Sequence, residues 1–303
     1  MKLAGQVKRA IERTTGFTVS RAGGAVASTP EPTVTQSPAS GKRPRQQQRK
    51  KTTRQMIRPP REPKIDRLLT RPIFILSPVR SGSTLLRSLL NAHSELHAPH
   101  ELHLRRIAVE FETSLAEAAM AELGHNRVDL EHLLWDRVLH LELVRSGKKY
   151  VVEKTPGMAF AHERIAACWP DARFIFLIRH PGSIVQSWHE AAGGNEDHEK
   201  RTAVALSIMK AVQRAREKFD GITVRYENLT SDPVTETQRI CTFLDVAWEP
   251  GMLDYGHDGV FVRGLGDWSD KIRSGAVQSG RPLPGRADVP PKLHDLCEAW
   301  GYL

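Results

Sequence analysis

Cysteine is scarce. The 303 residues include three, Cys168, Cys241 and Cys297, each embedded in an apolar helical pattern. An odd number at wide separation excludes a disulfide framework and a clustered zinc site, and predicts buried thiols in a reducing cytoplasm. Long apolar runs are missing as well. No segment reaches the ~20 residues that a membrane-spanning helix needs, so no transmembrane segment is expected. Lys2 is not followed by an apolar core of about 7–15 residues, so no secretory leader is expected either. No segment repeats.

Acidic residues are what the first quarter of the chain lacks. Residues 1–71 hold 17 Lys/Arg against 4 Asp/Glu, whereas the remaining 232 hold 27 against 31. The formal net charge of +9 therefore belongs to the N-terminal part, and the rest is mildly acidic. Residues 1–20 set Val7, Ala10, Ile11 and Phe17 among charged side chains, the pattern of a short amphipathic helix. Residues 21–70 are rich in Ser, Thr, Pro and Gln and carry a basic tract from Lys42 to Lys51. With few large apolar groups to bury, such a stretch cannot offset its chain entropy, and it reads as a disordered linker. Basic runs attract polyanions without specificity. A solvated tail without dedicated function is expected, with weak contact to an anionic surface as the alternative, and a specific nucleic-acid partner is not expected. The oligomeric state leaves no mark in the sequence.

What is present begins near residue 71. From there apolar strand-like runs alternate with helical patterns. Strands are expected over 73–77, 149–153, 172–178 and 222–226. Helices are expected over 83–92, 105–122, 128–145, 159–168, 181–190, 198–219, 232–244 and 291–301. This alternation implies a single α/β domain over 71–303, an open, mostly parallel sheet flanked by helices. Ligands of such sheets bind beyond the carboxyl ends of the strands. Arg80, Lys154, Arg179 and Tyr226 all fall at or just past those ends.

Three motifs mark that edge. In the first, the run Ile73–Leu76 breaks at Ser77-Pro78, a polar turn follows (Arg80, Ser81, Gly82, Ser83, Thr84), and a leucine stripe opens a helix. Free backbone N–H groups and the positive dipole end of that helix form an anion site, to which hydroxyls and an arginine add donors. A nucleotide triphosphatase loop would have Gly where Ser77 stands and Lys where Ser83 stands. Transfer from a magnesium-bound triphosphate is therefore not expected. The second motif is the buried strand ending at Arg179, followed by a helix that opens at Pro181 and carries Ser187. Arg179 and Ser187 can converge on one anion. The third is Val224-Arg-Tyr-Glu-Asn-Leu229, with Asp232-Pro233 as a helix start.

In order and spacing these motifs resemble the sulfotransferases that use 3′-phosphoadenosine 5′-phosphosulfate (PAPS). The turn Arg80–Thr84 is similar to their 5′-phosphosulfate loop. Arg179 and Ser187 are similar to their 3′-phosphate pair, although His180 stands where an Asp is usual. Tyr226 matches their Tyr-Glu-Asp-Leu strand end, with Asn228 replacing Asp. The resemblance implies a P-loop-like sulfotransferase fold, PAPS as co-substrate without a metal, and a hydroxyl acceptor that the motifs do not identify. It also implies a closing loop near the C-terminus, which Ser269 and Arg281 match loosely, with Lys271 an alternative and Trp268 beside them.

Sulfuryl transfer requires a held donor, neutralisation of the departing oxygen and a proton acceptor. Arg80 and Lys154 are the candidate charge-neutralising groups. The tyrosylprotein sulfotransferases, the most similar subgroup in motif pattern, place their base on Glu101 when aligned from Arg80. His100 beside it remains an alternative base. His93, His97, His100 and His103 crowd the same loop without the spacing of a metal site. Two rival readings are a kinase-like P-loop protein and a non-catalytic protein that binds 3′-phosphoadenosine 5′-phosphate (PAP) or associates with nucleic acid.

Overall fold

The computed structural model describes residues 66–191, 197–255 and 275–303. The helix expected over 1–20, most of the linker, and the segment with Trp268, Ser269 and Lys271 lie outside the described residues. In chain order the elements are β1 Ile73–Leu76, α1 Ser83–Asn91, β2 Leu96–His97, α2 Ser114–Glu122, α3 Arg127–Ser146 and β3 Tyr150–Glu153. There follow α4 His162–Cys168, β4 Arg173–Ile178, α5 Pro181–Glu190, α6 His198–Lys218, β5 Gly221–Arg225, α7 Tyr226–Ser231, α8 Pro233–Leu244 and α9 His294–Ala299.

The five strands form one sheet in the order β2-β3-β1-β4-β5, and every pair is parallel. β1 lies at the centre. Ile73 pairs with Val152 on one side and Arg173 on the other, and Leu76 pairs with Phe176. Because side chains alternate, each strand feeds two layers. Ile73, Ile75, Val152, Ile175 and Leu177 pack under α1 and α8 with Leu86, Leu89, Leu90, Ile240 and Leu244. Phe74, Leu76, Val151 and Phe176 face Trp135, Leu139, Ile165 and Trp169 on the opposite side. Burial on both faces explains why these strands read as continuous apolar runs.

Local chemistry sets several boundaries. Asn126 and Asp129 form a reciprocal capping box at the start of α3, and Gly147 closes it in the left-handed region at φ 66°. Asp232 Oδ1 accepts from the Thr235 amide at 3.0 Å before α8. Lys148 Nζ donates to the carbonyls of Asn91, His93 and Leu96 at 2.6–3.0 Å. It thereby caps the end of α1 and ties down β2, a two-residue edge strand inside what reads as a polar loop.

Four elements depart from expectation. The helix expected over 105–122 is only a 3-10 turn at Leu104–Arg106, an extended stretch, and α2. Extended backbone at Ile107, a Val109 amide bonded to Glu131, and Thr113 capping Ala116 together delay the helix start. The one expected over 159–168 begins as a 3-10 segment at Pro156–Ala161. Tyr226 opens α7 instead of ending β5, and the C-terminal helix is a 3-10 turn followed by α9. The folded region also starts before residue 71. Arg67 Nε donates to the Cys168 carbonyl at 2.9 Å, and Leu69 is buried.

Candidate active site

The β1–α1 turn is built from unusual backbone. Arg80 and Gly82 both have positive φ, 62° and 86°. Arginine is uncommon there, at a cost of about 1–2 kcal/mol, and the loop must hold it. The buried Ser81 hydroxyl does so by donating to the Pro78 carbonyl at 2.7 Å. Gly82 is the N-cap of α1 and supplies no capping side chain, and the first turn of α1 has no acidic residue. Gly82 thus sets no capping side chain against the first amides of α1, which favours anion binding at a helix start. Ser83 is buried and Thr84 half-buried beside them. A Cβ on Gly82 would come within 2.3 Å of the Tyr226 ring. Glycine is required twice here, for conformation and for space.

Arg179, at the end of neighbouring β4, donates from Nη1 to the Arg80 carbonyl at 2.8 Å, and its guanidinium lies 4.4 Å from the centre of the Tyr226 ring. Arg80 Nε donates to Ser187 Oγ on α5 at 3.2 Å. Arg80, Arg179, Ser187, Gly82 and Tyr226 are therefore one cluster, drawn from three strand ends. Burial, followed by the charge of Arg179, holds the Arg80 pKa below its ordinary value; burial does the same to Arg179. Among the described residues no carboxylate lies within ion-pair distance of either. Two half-buried, closely spaced cations with no ion-paired carboxylate among the described residues are suited to receive a multiply charged anion.

A second cluster forms where β2 and β3 end. Lys154 is 1% exposed and its Nζ lies 2.5 Å from Glu101 Oε1. Burial lowers the Lys154 pKa, and Glu101 opposes that shift. His103 Nε2 lies 3.5 Å from Glu101 Oε2. Behind them Glu153 is buried, and burial raises its pKa to about 8 despite a hydrogen bond from Thr155. The Thr155 hydroxyl donates to Glu153 Oε1 at 2.6 Å and accepts from the His103 amide at 3.2 Å. His100 Nδ1 is buried without a hydrogen-bond partner among the described residues.

The crowded histidines do not share a target. His93 bonds the Ala247 carbonyl at 2.7 Å, His97 faces Glu142, and His103 faces Glu101. Arg281 Nη1 donates to both oxygens of Glu190 at the end of α5, 2.7 Å to each, and its charge acts on Arg179, as that of Glu190 acts on Arg80. The third motif is structural as well as local: Glu227 accepts from the His180 amide at 3.0 Å and from the Tyr302 hydroxyl at 2.5 Å, anchoring the C-terminus to the β4 edge. Sequence reasoning missed Glu153, Thr155 and Glu190. The first two flank Lys154 and could have been weighed with it; nothing local marks Glu190 as the partner of a residue 91 positions away.

Comparison with known proteins gives one answer. Residues 72–250 match the model of the sulfotransferase family. The chain is 28% identical over 203 residues to nodulation protein NoeE of Sinorhizobium fredii, covering 55% of this chain and 48% of that protein. It thus spans about half the length of that curated relative. Its fold is that of the sulfotransferase domain from the curacin biosynthetic pathway, with TM-score 0.56, 22% identity, and coverage of 78% of this chain and 99% of that one. The sulfotransferase domain of the Synechococcus olefin synthase gives TM-score 0.53 at 24% identity, with coverage of 77% and 95%. The match spans every strand and both clusters, and the chain belongs to the sulfotransferase family.

Proposed function

We propose that this chain transfers a sulfuryl group from PAPS to a hydroxyl of its acceptor by in-line displacement. The observation that carries the reading is the pair of half-buried arginines, Arg80 and Arg179, with no ion-paired carboxylate among the described residues, beside an α1 start that Gly82 leaves without a side-chain cap. The site fits a nucleotide with two separate anionic groups. Arg80, Ser83, Thr84 and the amides of the turn serve the 5′ end, with Ser81 contributing through its backbone. Arg179 and Ser187 serve the 3′-phosphate, and Tyr226 walls the cradle. Arg281, and Ser269 outside the described residues, belong to the same reading as closing groups.

Glu101 takes the acceptor proton as the acceptor oxygen bonds to sulfur. Arg80 and Lys154 neutralise the oxygen that leaves as the bridging S–O bond breaks. The Lys154 ammonium sits on Glu101 Oε1 and so orients the carboxylate, leaving Oε2 toward His103. His100 stays the alternative base, because its buried Nδ1 has no partner among the described residues. Three buried free thiols support a cytoplasmic location, and no helix among the described residues is long and apolar enough to cross a membrane. The acceptor is a hydroxylated molecule.

The test is calorimetric titration with PAP, 5′-AMP and magnesium-ATP. PAP should bind without magnesium and more tightly than the other two. Equal affinity for PAP and 5′-AMP would leave the Arg179–Ser187 site idle and overturn the assignment. Preference for magnesium-ATP would favour the kinase-like reading.

A further inference from the structure

His103 is held with care for a loop residue. Its φ of 51° places it in the left-handed region, uncommon for residues other than Gly although His, Asn and Asp adopt it more often than most. The carbonyl of His103 accepts the Arg106 amide at 2.8 Å and its own amide is taken by Thr155. Thr155 is fixed in turn by the buried Glu153 through both its hydroxyl and its amide, at 2.6 and 3.2 Å. Backbone strain over-determined by buried partners is a mark of a side chain that has to point one way. The imidazole points at Glu101 Oε2, the oxygen that Lys154 leaves open.

We propose that His103 is a positioning and proton-relay residue for Glu101, with Glu153 and Thr155 as its mount. The inference rests on Glu101 being the base. Exposure supports a direction of travel: the Lys154 side chain is 1% exposed, Glu101 10% and His103 28%, so the imidazole is the outermost of the three. The proton that Glu101 gains from the acceptor passes from its carboxyl O–H to His103 Nε2. The imidazolium then loses a proton to water, and Glu101 returns to a carboxylate. The groups that face His103 are Glu101, Lys154, Arg106 and His100. Burial is the first cause that holds its pKa below 6.5, with Glu101 opposing. The ring is therefore neutral, ready to accept, at neutral pH.

The experiment uses the full chain and three readouts. Calorimetry with PAP tests the donor site alone; a wild-type chain that fails to bind would sink the functional reading and leave the histidine coupling measurable. In an NMR titration of the histidines, Glu101→Gln should lower the His103 midpoint by about 0.5 pH unit or more while His97, paired with Glu142, stays put. The third readout is slow cleavage of PAPS by water, which needs no identified acceptor. His103→Ala should retain PAP affinity and lose about tenfold or more of the cleavage rate. Free imidazole should restore part of that loss. His103→Gln fills the space without accepting a proton, and should be slow and insensitive to imidazole. An unmoved His103 midpoint in Glu101→Gln, or a PAP-binding His103→Ala chain that keeps its rate or ignores imidazole, would overturn the proposal.

Discussion

The two clusters sit side by side at the same edge of one sheet and treat charge in opposite ways. Around β1 and β4, two half-buried guanidiniums meet a carbonyl, a hydroxyl and an aromatic face, with no ion-paired carboxylate among the described residues. Around β2 and β3, the ammonium of Lys154 is matched by Glu101, and a second acid, Glu153, sits behind it with its pKa raised to about 8. The first arrangement waits for an external anion. The second is closed on itself and is suited to moving a proton, because its carboxylates and imidazole lie within a short span of one another. In the proposed function, a single sheet edge thereby separates holding a donor from handling an acceptor.

That contrast can be broken most severely at Glu101. Glu101→Gln should lower sulfuryl transfer by about 10²–10⁴ while PAP affinity stays near wild type; Arg80→Ala should damage both, which parallel rate and calorimetric measurements would resolve. On the donor side, Arg179→Ala removes a charge-assisted contact of about 1.5–3 kcal/mol and should weaken PAP roughly ten- to a hundredfold. Gly82→Ala should cost about 2–4 kcal/mol in chemical denaturation, combining the left-handed backbone with the overlap on Tyr226.

A subtler difference concerns pH. An acid whose pKa is raised on folding binds more protons folded than unfolded between the two values. Its contribution therefore favours folding at low pH and is lost as pH rises from the ordinary carboxylate range through about 8. Glu153→Gln should flatten the decline of melting temperature between pH 6 and 9. The smallest effect is expected from deleting residues 1–64, whose composition offers little apolar surface to bury. Melting of the remaining chain should be nearly unchanged, and a large loss of stability would refute that reading.

The meeting of Arg80, Arg179 and Ser187 was legible in the sequence because each piece is a strand end followed at once by a turn and a helix. Arg80, Gly82, Arg179 and Ser187 could be placed from apolar runs and helix starts alone, and the parallel sheet followed from the alternation. The cluster around Lys154 was less so. Glu101 came from alignment with a family, and Lys154 from its position after an apolar run. His103 was only one histidine among four. Its left-handed backbone and its bond to Thr155 depend on a loop without periodicity, and β2 depends on Lys148 reaching back to three carbonyls. Pairings such as Arg281 with Glu190 are properties of the folded chain, since nothing in either segment specifies the other.

The close approach of Tyr226 to Gly82 has a consequence for how such a site can change over time. A ring from the β5 end fills the space that a side chain on the β1 loop would need, and the same ring backs the arginine from β4. Substitutions at these three positions are consequently not independent. A residue with a Cβ at 82 becomes tolerable only after the ring at 226 has shrunk or turned, and that first change strips Arg179 of its support. Drift at the donor loop should therefore proceed in ordered, paired steps, and the double variant Gly82→Ala with Tyr226→Ala should fold better than Gly82→Ala alone while binding nucleotide worse than either wild-type contact would allow.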